Sequence, residues 1–125
     1  MTGRSELDRW VAAVASDPEN AHIGRWSTFA VRLEDDEGGA LVLRYERGTV
    51  AADPAGAALP DLVLRGPRSA WRELVDADAA PRRHDLLSLT KAPDGLEVVA
   101  GRETLLRHLR VLTRLVELGR AHAQG

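Results

Sequence analysis

The chain has 125 residues, 44% of them hydrophobic and 29% charged, with a formal net charge of -2 and no cysteine. That length suits a single core and that apolar content is too high for a disordered chain. The charge balance offers no general attraction to phosphate backbones, so no nucleic-acid partner is expected, and the missing thiols exclude disulfides, thiolate nucleophiles and zinc-thiolate or iron–sulfur sites.

The opening "MTGRSELDRW" has no basic-then-apolar signal pattern. No apolar run approaches the roughly 20 residues that cross a bilayer. The expectation is a cytoplasmic, single-domain protein over residues 1-125, without stable membrane insertion. Leu7, Trp10, Val11 and Val14 recur at helical spacing and predict a first amphipathic helix. Ser5 with Asp8 resembles a capping box, and Ser16-Asp17-Pro18 stops the helix.

From Thr28 the period changes to two. Phe29, Val31 and Leu33 share one face, as do Leu41, Leu43 and Tyr45 after a polar turn with Gly38-Gly39, which predicts an antiparallel hairpin. Thr28, Arg32, Glu34, Arg44 and Glu46 take the other, wetter face, where cross-strand ion pairs account for the charges. Arg47-Gly48 reverses the chain into a short strand around Val50. "DPAGAALP" is loop, and Leu62 to Arg65 a fourth strand. Pro67 suits a helix start, and Trp71, Leu74 and Val75 then share one side. Residues 84–91 fit either a short helix or, slightly better given the Pro93-Asp94-Gly95 turn, a hairpin arm leading to a strand at Leu96 to Ala100. A last helix from Arg102 to about Leu118 carries the stripe Leu105, Leu109, Leu112 and Val116, widened by Leu106 and Leu115, with Arg107, Arg110 and Arg114 opposite and Gly119 as a stop.

Catalytic patterns are thin. Ser69 lacks the glycine frame of a nucleophile elbow, and His22, His84, His108 and His122 form no metal-binding spacing. His108, among arginines, reads as solvated. His84 beside Asp85 could form a general base pair, although a surface pair explains it as well. "EDDE" at 34–37 reads as a solvated loop. Tyr45 points inward, so its hydroxyl needs either a backbone carbonyl or the polar end of a ligand. No catalytic residue, metal or cofactor is assigned.

The order of elements, the G-x-x-x-x-W of Gly66 to Trp71 followed by Leu74, and the "GLEVVAG" of Gly95 to Gly101 running into a helix together resemble the sterol carrier protein 2 (SCP2) family. The likeness spans Leu7 to Leu118. It implies an α+β fold, a mainly antiparallel sheet of five or six strands covered on one face by helices, with an apolar tunnel between the layers. It further implies a carrier of an apolar small molecule, a lipid, sterol, acyl chain or polyketide-like metabolite. Where the family has a short helix before Gly95 this chain carries "KAPDG", and it ends in "AHAQG" without a peroxisomal Ser-Lys-Leu. Expected ligand-facing residues are Trp26, Phe29, Leu43, Tyr45, Trp71, Leu74, Leu86, Leu105, Leu109 and Leu112. Two alternatives stand beside this: a small cofactor-free cyclase or isomerase using the same cavity with His84, Tyr45 or Asp85 moving a proton, and a module in which the leucine-rich last helix pairs with a second copy or a partner enzyme.

Overall fold

A computed structural model describes the backbone of residues 4–52, 59–74, 86–91 and 94–124, with side chains except at 4–7, 73, 88–89 and 120–124. Strands β1 (Thr28–Glu34) and β2 (Ala40–Glu46) pair antiparallel, with Phe29 opposite Tyr45, Val31 opposite Leu43 and Leu33 opposite Leu41. The alternation thus places three apolar pairs on one face. Strand β3 (Thr49–Ala52) extends the meander through a turn in which Arg47 and Gly48 have φ of 48° and 90°, the double positive-φ geometry that suits a two-residue hairpin. Gly48 is also required by contact, because a Cβ there would lie 2.7 Å from the Ala21 carbonyl oxygen.

Strand β4 (Leu62–Arg65) joins the far side of β1 in parallel, and β5 (Glu97–Ala100) runs antiparallel to β4 with a register shift at Val63/Leu64. The sheet order is β3-β2-β1-β4-β5. Among the described strands the sheet is thus mainly antiparallel, as the SCP2 resemblance implies, and mixed only through the parallel pairing of β4 with β1.

Helices α1 (Arg4–Ala15), α2 (Pro18–Ile23), α3 (Arg68–Leu74), α4 (Leu86–Leu89), α5 (Arg102–Arg107) and α6 (Leu109–Gln124) complete the described elements. The core joins the inward strand residues Phe29, Val31, Leu33, Leu43, Tyr45, Leu62 and Leu64 to Trp10, Val14, Trp71, Leu74, Leu105, Leu112 and Leu115 from the helices. On the opposite face Glu34 holds Arg32 at 2.6 Å and its register partner Arg65 at 2.8 Å.

Several expectations change. Pro18 ends α1 but also starts α2, because Asp17 caps the new helix by accepting a hydrogen bond from Asn20 N at 2.7 Å. Residues 86–89 are helical rather than a hairpin arm. Among the described residues β5 pairs with β4, and the four-residue turn is closed by Thr90 donating to the Leu86 and Leu87 carbonyls. A short helix before Gly95, which the SCP2 resemblance implies, is thus present at Leu86–Leu89. The last helix divides at His108, whose φ of -112° and ψ of 26° leave the helical region. Gly119 does not stop α6, which continues to Gln124. Its missing side chain makes room for the Trp10 ring, which a Cβ would meet at 3.0 Å.

Two polar assignments change as well. Asp35 is buried rather than solvated, with Oδ1 accepting from Glu37 N at 2.9 Å and Gly39 N at 2.8 Å. Arg114 is not on an open polar face: its guanidinium donates through two nitrogens to the two carboxylate oxygens of Asp17, each at 2.9 Å. That fork holds the Asp17 carboxyl below its ordinary pKa, with burial opposing and the Asn20 amide adding to the effect.

Candidate functional site

Alternation along β1 and β2 brings Phe29 and Tyr45 side by side on the face that the helices cover. Their rings stack at 4.8 Å between centroids with planes 7° apart. The imidazole of His108, at the break between α5 and α6, lies 4.4 Å from Phe29 and 16° from parallel. Phe29 is the shared middle ring of a row running from β2 to the helical elbow. The Ser27 hydroxyl ends the row, 3.0 Å from His108 Nδ1.

The polar atoms of this row differ in how they are satisfied. Ser27 and His108 serve each other. Tyr45 is 1% exposed and its hydroxyl has no hydrogen-bond partner among the described residues, so no described backbone carbonyl takes that role. Burial pushes the phenol far above its ordinary pKa, so Tyr45 stays protonated and acts as a donor rather than a base. Burial also lowers the pKa of His108, helped by the neighbouring Arg107 charge and opposed by Asp61. The imidazole is therefore held toward its neutral form, not solvated as its arginine neighbours suggested.

Of the ten expected ligand-facing residues, Phe29, Leu43, Tyr45, Trp71, Leu74, Leu86, Leu105 and Leu112 all lie in the one buried cluster, and Leu109 packs on it half-buried. Trp71 lies in the core, 7% exposed, with Nε1 donating to the Glu34 carbonyl at 2.9 Å. Trp26 is not with them. It is 85% exposed, with the Arg25 guanidinium 5.9 Å from its ring centroid, because it precedes the strand and its alternation. His84 and Asp85 lie outside the described residues.

Sequence reasoning passed over Ser27 and Asn20 and read His108 as solvated. Ser27 and His108 carried a usable signal: Ser27 has the parity of Phe29, and His108 stands three residues after Leu105 and four before Leu112, on the apolar stripe. Asn20 gave none, since α2 itself went unread. Among the described residues no group of His, Asp and Glu could hold a metal ion, and no helix is long and apolar enough to cross a membrane.

The described interior is an apolar helix-on-sheet core with one row of rings and few polar atoms. Solved structures share its architecture. The crystal structure of sterol carrier protein 2 superposes with a TM-score of 0.71 at 18% identity, covering 94% of this chain and 95% of that one. A conserved hypothetical protein from Thermus thermophilus gives 0.69 at 18% identity over 98% and 89% of the two chains. The ubiquinone synthesis protein UbiJ-SCP2 gives 0.61 at 17% over 90% of each. The chain has the SCP2 fold. No protein-family model and no curated protein matches the sequence itself.

Proposed function

We propose that the protein carries an apolar small molecule in a tunnel between sheet and helices, with Tyr45 meeting the polar end of the cargo. The observation that carries this reading is the Tyr45 hydroxyl, buried and without a partner inside an otherwise apolar interior. An unsatisfied buried donor costs about 1–3 kcal/mol, a cost that a ligand acceptor would remove. Each methylene buried beside it would add about 0.8 kcal/mol. The shared fold supports the same reading, since one neighbour is a sterol carrier protein. Phe29, Leu43, Trp71, Leu74, Leu86, Leu105, Leu109 and Leu112 supply the apolar walls, and the setting is cytoplasmic.

Of the three proton carriers in the cyclase or isomerase alternative, burial holds Tyr45 protonated, which leaves that reading to His84 and Asp85, outside the described residues. Native mass spectrometry of protein purified from its own host tests the proposal. A co-purifying apolar mass is expected; ligand-free protein that also takes up no added lipid would end it.

A further inference from the structure

The imidazole of His108 is fixed by two independent contacts for which a carrier has no need. Phe29 sets the ring plane by stacking at 4.4 Å, and the Ser27 hydroxyl engages Nδ1 at 3.0 Å. Ser27 is itself held on both sides: its N–H donates to the Gly24 carbonyl at 2.9 Å, and its carbonyl accepts from Arg47 N at 2.8 Å. At 7% exposure its hydroxyl has little water to turn to. The His108 side chain is only half-buried. Its other nitrogen, Nε2, has no hydrogen-bond partner among the described residues and is not one of the fully buried atoms left without one. Nε2 is therefore the nitrogen open to a reactant.

These contacts meet the requirements of a general base. Of the two neutral tautomers, the one that donates Nδ1–H to Ser27 Oγ leaves a lone pair on Nε2. Burial and the Arg107 charge hold the ring toward its neutral form, and the Asp61 charge favours the imidazolium once a proton has arrived. The Asp61 carboxylate is in turn fixed by Ala30 N, which donates to Oδ2 at 2.8 Å. One ring nitrogen oriented by a neighbour while the other takes the proton is the division of roles that hydrolytic bases use. Phe29 belongs to the core, so the wall beside the ring is apolar and suits an acyl chain better than a charged substrate.

We infer that His108, positioned by Ser27, is the general base of a site that hydrolyses uncharged acyl esters. Water gives a proton to Nε2 as its oxygen bonds to the ester carbonyl carbon. The bond from that carbon to the alkoxy oxygen then breaks, and the alcohol leaves with the proton returned by the imidazolium, so acid and alcohol are released and the ring ends as it began. The inference goes beyond the carrier reading and stands without it.

The test is hydrolysis of 4-nitrophenyl butyrate by the full-length chain, measured above the buffer blank from about pH 5 to 8. The rate is expected to follow the neutral imidazole, with a midpoint below the ordinary 6.5 and a plateau above it. His108→Phe, which keeps a ring on Phe29, is expected to lose the rate by about tenfold or more, while His22→Gln, at an exposed histidine, leaves it unchanged. Ser27→Ala should lower kcat by about tenfold at unchanged KM, and Ser27→Thr, which keeps a hydroxyl, should recover most of the loss. No hydrolysis above the blank, a rate that survives His108→Phe, or one that climbs with hydroxide without a midpoint overturns the inference. A rate that Ser27→Ala leaves whole overturns the role given to Ser27. If His108→Phe does not fold, the pH midpoint of the unaltered chain decides. Lipid uptake, read separately by native mass spectrometry, tests the carrier reading whichever way hydrolysis falls.

Discussion

At His108 a single residue reconciles two demands that its sequence context sets against each other. Its neighbours Arg107 and Arg110 face water, yet its own place on the apolar stripe turns the ring onto Phe29 and against Ser27. The sequence carried this as spacing, but residue type outweighed spacing in the reading, since a histidine between arginines suggests solvent. The same preference for type over position put Trp26 inside, although it lies before the strand whose alternation would have turned it inward. The buried imidazole has a consequence in pH. Its folded-state pKa lies below the ordinary 6.5, so between the two values the unfolded chain binds more protons. Stability contributed by neutral His108 is therefore complete above 6.5 and is lost as pH falls through the folded value. The carboxyls held low by arginine, Asp17 by Arg114 and Glu34 by Arg65, lose theirs only below their ordinary 3.8 and 4.5, so the windows are distinct. Thermal melts should show the melting temperature falling as pH drops from about 7.5 to 5.5. His108→Phe, which keeps a ring on Phe29 and cannot titrate, should flatten that slope. An unchanged slope in the variant would assign it to another group.

Between elements, close approach decides what propensity alone misjudges. Gly119 reads as a helix stop because glycine is enriched just past helix ends. In the structure it lies inside α6, and Trp10 of α1 fills its missing Cβ position while Trp10 Nε1 donates to the Leu115 carbonyl at 2.9 Å. That hydrogen bond fixes the ring, so it cannot retreat from an added methyl without losing a buried partner. In an open helix Gly→Ala gains about 1 kcal/mol. Here Gly119→Ala should lower the urea midpoint instead. In a Trp10→Leu background, where the space is free, the same change should raise the midpoint, through a gain in stability of up to about 1 kcal/mol. If Gly119→Ala stabilises both backgrounds equally, the packing argument fails. Legibility at this scale follows interaction range. The hairpin of β1 and β2 was readable down to its inward face because alternation and a local turn fix it, and α3 because Pro67 and the Trp71 spacing mark it. The short α2 and α4 offered too few residues for a period to emerge, and the fork of Arg114 on Asp17, 97 residues apart, has no local signature.

At the scale of the whole molecule, the parallel pairing of β4 on β1 is the feature least accessible to a linear reading. Nothing in Leu62 to Arg65 indicates which strand receives it, because the pairing is set by packing of both inner faces under the helices rather than by a turn. The leucine-rich last helix was legible as amphipathic, but its partner was not. Leu105, Leu112, Leu115 and Val116 turn out to be buried in the chain's own core, leaving Leu106 outside, so the width of the stripe that suggested a pairing surface is explained internally. The proposed carrier role would couple ligand binding to folding. A ligand that occupies the interior binds only the folded chain and stabilises it by RT ln(1 + [L]/Kd), about 2.7 kcal/mol at one hundred times Kd. With an unfolding entropy of about 2.1 cal/mol/K per residue, 125 residues convert that gain into a rise of about 10 °C in melting temperature. Delipidated protein melted with increasing cetyl alcohol should approach that rise, and the shift should grow logarithmically with free ligand once above Kd. A melting temperature indifferent to the alcohol and to every other apolar probe would mean that the interior accepts no guest, because a ligand confined to the native state cannot avoid this linkage.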